Sequence, residues 1–254
     1  MANKLGGVLF VYNGLTHDYC FLEAIQSMLP ICDTVYVLDA GSLDGTRGAL
    51  LAHSHPKVKV ILCTHDEWLS ISGKEKLSHF TNRAIEVAQN DGCDWILSVQ
   101  ADEVLHEKSY SAIYKAMDSP HEAIMCSRVN LWGSPYTQLD VPHNRKPCST
   151  EIVRLAKSYC RAYDDAESLA SNNVDFSFLQ DIRIYHMGFV RKREVMVEKI
   201  RHIQQDVFGM TPDEKLKGME VFQPWAWFDK SDVRLIDEPL PSVIQDWAKQ
   251  RVYK

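Results

Sequence analysis

Apolar and polar positions alternate in two rhythms over the first hundred residues. The run GVLFVYN (Gly7–Asn13) is apolar, short and closed by a turn residue, which predicts a strand. From Asp18 to Leu29 the positions Tyr19, Leu22, Ile25, Gln26 and Leu29 recur at helical spacing, and Pro30 stops that helix. TVYVLDAGS (Thr34–Ser42), rich in β-branched and aromatic residues, predicts a second strand. A helix over Gly45–His53, a strand over Lys57–Leu62 and a strongly patterned helix over Leu77–Gln89, closed near Gly92, follow. CDWILSVQADE (Cys93–Glu103) is a fourth strand, apolar until it ends in acids. Strands alternating with helices at this pitch predict an α/β fold with a parallel, doubly wound sheet. Ligands of such sheets sit outside the carboxyl ends of the strands. Both DAGSLDGT (Asp39–Thr46) and QADE (Gln100–Glu103) fall at that edge.

The pattern continues with a helix over Ser109–Met117, a strand over Ala123–Leu131, and a Pro-, Gly-, Asn- and His-rich stretch, 132–150, that reads as a loop. Glu151–Leu155 and Arg183–His186 read as further strands. Arg193–Val207 is an amphipathic helix with Val195, Met196, Lys199, Ile200, Ile203 and Val207 on one side. The last forty residues mix Phe222, Trp225, Trp227 and Phe228 with Pro239 and Pro241. The expected organisation is one domain over 1–210, with a nucleotide-binding half (1–105) and an acceptor half (106–210). A C-terminal helical and aromatic extension, 211–254, packs on the same domain.

Composition narrows the class. A chain of 254 residues suits one large core, and 45% apolar with 24% charged residues excludes disordered and fibrous proteins. Lys and Arg number 28 against 34 Asp and Glu, a net charge of −6, which disfavours a protein that coats nucleic acid. Seven cysteines, odd in number and without a C-x-x-C pair, read as reduced thiols of a cytoplasmic protein. No apolar run reaches the ~20 residues of a membrane span.

Two motifs carry candidate chemistry. In DAGSLDGT, Gly41 and Gly45 allow tight turns and close backbone approach. Asp39 and Asp44 offer carboxylates, and Ser42 and Thr46 offer hydroxyls. An acid ending a buried strand suits a nucleobase or a ribose hydroxyl, while Asp44-Gly45-Thr46 equally makes a turn with a helix cap. In QADE, Asp102 and Glu103 end a buried strand and need a partner, either a divalent cation bridging to a diphosphate or an Arg or Lys.

VLFVYNG, VYVLDAGSLDGT and NRAIEVAQNDGCDWILSVQADEVL together resemble the signature blocks of family-two glycosyltransferases of the GT-A fold, in order, spacing and context. A fourth block, RIYHMGFVRKREVMVEKI, resembles the family segment in which a strand-end His precedes a Gly-aromatic pair and a basic helix. The resemblance implies a GT-A-type, Rossmann-like, mostly parallel sheet flanked by helices. It also implies inverting transfer from a nucleoside diphosphate sugar, UDP- or GDP-linked, assisted by Mn²⁺ or Mg²⁺. By that resemblance Asp102 and His186 hold the metal. Tyr12, Asn13, Asp39, Ser42, Asp44, Asn82, Gln100, Ala101 and Arg191 hold the nucleotide sugar, with Lys76, Arg83 and Lys192 as further candidates near phosphate. The stretch EIVRLAKSYCRAYDDAESL resembles the family's acceptor-side pattern, so Glu167 is the expected general base, with Asp165 and Asp164 as alternatives. The chain departs from the family at Ala40, at Gln100 (in place of the first Asp of Asp-x-Asp) and at Ala166 (in place of a His).

The acceptor stays open between a glycan, a lipid-linked sugar and a modified DNA base. His143-Asn144-Arg145-Lys146 could meet an acidic acceptor, and Trp225, Trp227 and Phe228 could stack on a sugar or base. Two other classes compete: a nucleotide-sugar-binding module without catalysis, motivated by Gln100, and a nucleotidyltransferase. The latter needs a Gly-rich basic loop after the first strand, where this chain has Asn13-Gly14-Leu15-Thr16.

Overall fold

A computed structural model describes residues 3–141, 148–171, 175–207 and 232–251. Its first half follows the alternation of the sequence. Strands β1 (Leu5–Val11), β2 (Thr34–Asp39), β3 (Val58–Leu62) and β4 (Trp95–Ser98) lie parallel in the order β3-β2-β1-β4. Helices α1 (Phe21–Met28), α2 (Thr46–Ala52), α3 (His65–Ser70) and α4 (Glu75–Asn90) connect them. Along β2, Val35 and Val37 enter one core layer with Phe21, Ile25 and Met28 of α1. Tyr36 and Leu38 enter the opposite layer with Phe80, Ala84 and Ile85 of α4. Burial on both faces is why β1, β2 and β4 read as continuous apolar runs, while β3 at the edge carries exposed Lys59 and Leu62.

The second half turns the sheet mixed. After β5 (Glu103–Leu105) and α5 (Tyr110–Met117) come β6 (Ala123–Trp132), β7 (Ser134–Leu139) and β8 (Glu151–Lys157). β8 pairs antiparallel with both β4 and β6, and β7 extends the sheet beyond β6. The short pair β9 (Arg161–Ala162) and β10 (Leu169–Ala170) stands apart. β11 (Phe176–Phe189) runs parallel to β6 and antiparallel to β5. It leads into α6 (Arg193–His202), which continues as one wider turn over Ile203–Val207. The chain returns as β12 (Val233–Leu235) on β7 and closes with α7 (Gln245–Lys249). There Leu240, Ile244 and Trp247 pack on Tyr185 and Met187 of β11.

The structure corrects several sequence expectations. The stretch 132–150 is not all loop, since β7 forms a hairpin with β6. The fourth strand is two strands, because the chain turns at Gln100, where the Glu103 N–H donates to the Gln100 carbonyl (3.0 Å). The buried face of α1 is Phe21, Ala24, Ile25 and Met28, rotated from the predicted one, and Gln26 is exposed. Helix α3 went unpredicted. All seven cysteines are free thiols, six of them buried. His143–Lys146 and the aromatics Phe222, Trp225, Trp227 and Phe228 lie outside the described residues.

Candidate active site

The DAGSLDGT octet and the turn after β1 are bound to each other. Asp39 is fully buried: its Oδ1 accepts from the Ser42 N–H (3.1 Å) and its Oδ2 from Arg47 Nε (2.7 Å). Asn13, in the left-handed region at φ 47°, donates its N–H to Ser42 Oγ (2.9 Å) and accepts from the Leu43 N–H (2.8 Å). Asp44 Oδ2 accepts from the Thr16 N–H (2.6 Å), and its Oδ1 accepts from Thr46. Gly41 has φ 88°, and a Cβ there would stand 2.4 Å from the Thr64 carbonyl, so only glycine fits. The turn chemistry therefore accounts for Asn13, Asp39, Ser42 and Asp44, which form a ledge and do not line the cavity below. Asn82 is also elsewhere: its amide clasps the Ala162 backbone, accepting at 2.7 Å and donating at 2.9 Å. Arg83 pairs with Glu67 of α3, and the Lys76 ammonium lies over the Trp68 ring.

Beside the ledge, at the carboxyl ends of β1 and β4, opens a cavity of about 380 Å³. That size suits a small-molecule ligand. One wall is aromatic, with Tyr12 stacked on Trp68 (centroids 3.9 Å apart) and facing His202 at 5.5 Å. A second wall carries Gln100, Ala101 and Asp102 on the turn between β4 and β5. A third carries Asp165 and Glu167, and the fourth carries His186, Gly188 and Lys199.

Asp102 is the electrostatic centre. It is 7% exposed, yet its Oδ2 lies 2.8 Å from Lys199 Nζ, 3.7 Å from His186 Nε2 and 3.9 Å from Arg191 Nη2. Burial pushes the Asp102 carboxyl up, but the charges of Lys199, His186 and Arg191 outweigh it and hold it well below the usual range. Burial and the neighbouring Arg191 lower Lys199, and burial lowers His186. His186 Nδ1 donates to Asn130 Oδ1 (2.9 Å), which turns Nε2 toward Asp102. Gly188 makes room for this ring, since a Cβ there would meet Nε2 at 2.2 Å.

The predicted ligands Asp102 and His186 are thus neighbours, as the resemblance implies. The charges around them do not fit a divalent ion held there, because an ammonium and a guanidinium already face the one carboxylate. No group of three or more His, Cys, Asp or Glu suited to a metal occurs among the described residues. The Gln100 amide donates to the Ala166 carbonyl at 3.5 Å.

The other acid of QADE is structural. Glu103 is fully buried against Arg154 (2.7 Å) and Arg128 (3.4 Å). Arg128 also pairs with Glu167, which further accepts from Ser149 Oγ (2.9 Å) and the Ser149 N–H (3.2 Å). Burial raises the Glu167 carboxyl, and Arg128 and Ser149 more than offset it, leaving it lowered. Asp165 accepts one long bond from the Glu167 N–H (3.3 Å), and Asp164 is exposed and paired with Lys74. Sequence reasoning missed Arg128, Arg154, Trp68 and His202, and gave Lys199 no role. The signal for Lys199 was its place on the apolar side of α6.

Comparison of the sequence with protein-family models and with curated proteins gives no match. Solved structures of similar fold include S. aureus TarS, 15% identical over 80% of this chain, with a TM-score of 0.46. The match spans 40% of the TarS chain. HddC from Yersinia pseudotuberculosis is 13% identical, with 77% of this chain and 99% of that chain covered and a TM-score of 0.45. Glucosyl-3-phosphoglycerate synthase from Mycobacterium tuberculosis, in complex with Mn²⁺, uridine diphosphate and glucosyl-3-phosphoglycerate, is 15% identical, with 61% and 57% covered and a TM-score of 0.40. The strand order and directions observed in the chain itself give a mixed, mostly parallel α/β sheet flanked by helices, the arrangement expected of a GT-A-type fold.

Proposed function

We propose that this chain is an inverting glycosyltransferase of the family-two, GT-A kind, which moves a sugar from a nucleoside diphosphate sugar to an acceptor hydroxyl. One observation carries the reading: a single cavity at the carboxyl edge of the sheet joins an aromatic wall, a cationic cluster around Asp102 and two carboxylates. The aromatic wall of Tyr12 and Trp68 offers apolar surface to a nucleoside. The cations suit a diphosphate leaving group, whose charge grows in the transition state. A carboxylate across the cavity suits the proton of the attacking hydroxyl.

In that reaction the acceptor oxygen attacks the anomeric carbon from the face opposite the diphosphate. The bond from that carbon to the β-phosphate oxygen breaks, and its electron pair leaves with the nucleoside diphosphate. The hydroxyl proton passes to a carboxylate. Asp165 is the better placed of the two acids, since Glu167 is held by Arg128 and Ser149 and its basicity is lowered. The metal that the resemblance implies receives no step here, because Asp102 is already taken by Lys199.

Thermal melting of the chain against UDP- and GDP-sugars, with chromatographic detection of released nucleoside diphosphate, tests the reading. A nucleotide sugar that raises the melting temperature and is turned over in the presence of acceptor glycans supports it. Absence of any shift with nucleotide sugars and nucleoside diphosphates alike refutes it.

A further inference from the structure

We infer that Lys199, backed by Arg191, is a built-in cation that binds the donor's diphosphate in the place of a divalent metal; this rests on the glycosyl-transfer reading above. Lys199 projects from α6 among Met196 and Ile200, is 8% exposed and lines the cavity. A lysine at such a position needs an anionic partner. Asp102 is one, at 2.8 Å, and the Gly188 carbonyl takes a second N–H at 3.2 Å. The third N–H has no hydrogen-bond partner among the described residues.

Arg191 stands behind Lys199. It is 3% exposed, its Nη1 donates to the same Gly188 carbonyl, and its Nε and Nη2 are buried without a hydrogen-bond partner. Arg191 has no exposed side-chain surface and does not line the cavity, so it adds positive charge from behind while Lys199 faces the ligand. Formal charges agree. Lys199 and Arg191 bring two positive charges to one carboxylate, leaving a net positive site before any ligand arrives. One carbonyl, Gly188, fixes both cationic heads, so the site is preorganised and little reorganisation accompanies binding. The Gln100 departure then has a physical reading. A carboxylate there would add a negative charge to the cavity that Lys199 lines, whereas the neutral amide adds none.

Calorimetric titration of the full chain with UDP and with GDP, once in EDTA and once in Mn²⁺, tests the inference. Binding of at least one of them in EDTA is expected, with little gain from Mn²⁺. Lys199→Met should weaken that binding about ten- to a hundredfold, the range of one charged hydrogen bond, and Lys199→Arg should restore most of it. Arg191→Met, which leaves Lys199 in place, should show a smaller loss of the same sign, and melting curves establish that each variant is folded. Wild-type binding that appears only with Mn²⁺, or a folded Lys199→Met that binds as wild type in EDTA, overturns the inference and leaves glycosyl transfer standing. No binding with or without metal overturns both.

Discussion

Glu103 and Arg154 meet at 2.7 Å with neither side chain exposed, and Arg128 approaches the same carboxylate at 3.4 Å. The last acid of the strand-end motif is thus an anchor: its other oxygen accepts the Gln100 N–H at 3.0 Å and shapes the turn that carries Asp102. Removing one member of a buried ion pair leaves the others uncompensated and costs about 3–5 kcal/mol. Glu103→Gln should therefore lower the unfolding free energy read from urea titration by that amount. A loss under about 1 kcal/mol would mean that the two arginines find other partners, against this geometry.

Glu238 binds the Tyr185 hydroxyl at 2.7 Å and pairs with Arg183 and Lys108, which bring its carboxyl down from 4.5 to about 2 despite burial. A depressed carboxylate stabilises the fold fully above its unfolded value and loses that contribution as pH falls through its folded value. Glu238→Gln should cost about 1 kcal/mol at neutral pH, as for a largely solvent-screened pair. The gap from wild type should close between pH 4.5 and about 2. His17 acts in the same direction: burial and the nearby charges of His202 and Lys199 lower it from 6.5 to about 4, so protonation in the unfolded chain erodes stability over that window. Melting curves from pH 7 to pH 2 check both, and a gap that widens on acidification contradicts the assignment.

Asn82 is placed on α4, where the resemblance puts a nucleotide contact, yet its amide is spent on both polar groups of Ala162. Asn82→Ala should loosen the tie between α4 and β9 by about 1–3 kcal/mol, since two backbone groups lose their partners. Its effect should be read in denaturation and not in nucleotide titration. A large loss of affinity at unchanged stability would return Asn82 to the cleft.

The two acids of the acceptor wall should separate kinetically. Asp165→Asn should reduce turnover by about 10²–10⁴-fold, the range of general-base loss, while donor affinity holds. Glu167→Gln removes a partner of Arg128 and should chiefly lower stability. If Asp165→Asn turns over normally and Glu167→Gln does not, the base is Glu167, as its family position suggested.

What the sequence disclosed follows burial and separation. β2 was legible because Val35 and Val37 are buried on one face and Tyr36 and Leu38 on the other. β7 was not, because Pro135 and polar residues mask a strand that is buried on alternate positions at best. Helix α3 had a capping box in plain view, Thr64 with Glu67, but only six residues of pattern to confirm it. Asp102 and His186 were placed together by family pattern. The cation that takes Asp102 was not, since Lys199 lies 97 residues away and no local periodicity links the two. Asp39 differs in having its partner close by in sequence: Arg47, at the entry of the next helix, holds the carboxylate that the strand-end pattern singles out.

Gly188 gives the sharpest test of how the site is held. A Cβ built there meets His186 at 2.2 Å from Nε2 and 2.3 Å from Cε1, so any side chain pushes the imidazole off Asp102. The Gly188 carbonyl also receives Lys199 and Arg191, so strain at this residue reaches the whole cluster. Gly188→Ala should cost about 1–3 kcal/mol of stability, the usual penalty of overpacking. It should also weaken nucleoside diphosphate binding by about tenfold. The cause is separable by a double-mutant cycle, because His186→Ala removes the ring that the new methyl strikes. The double variant should then be more stable than the two single losses predict, by about 1 kcal/mol or more. Strict additivity would show that the ring yields freely and that glycine is needed there for another reason.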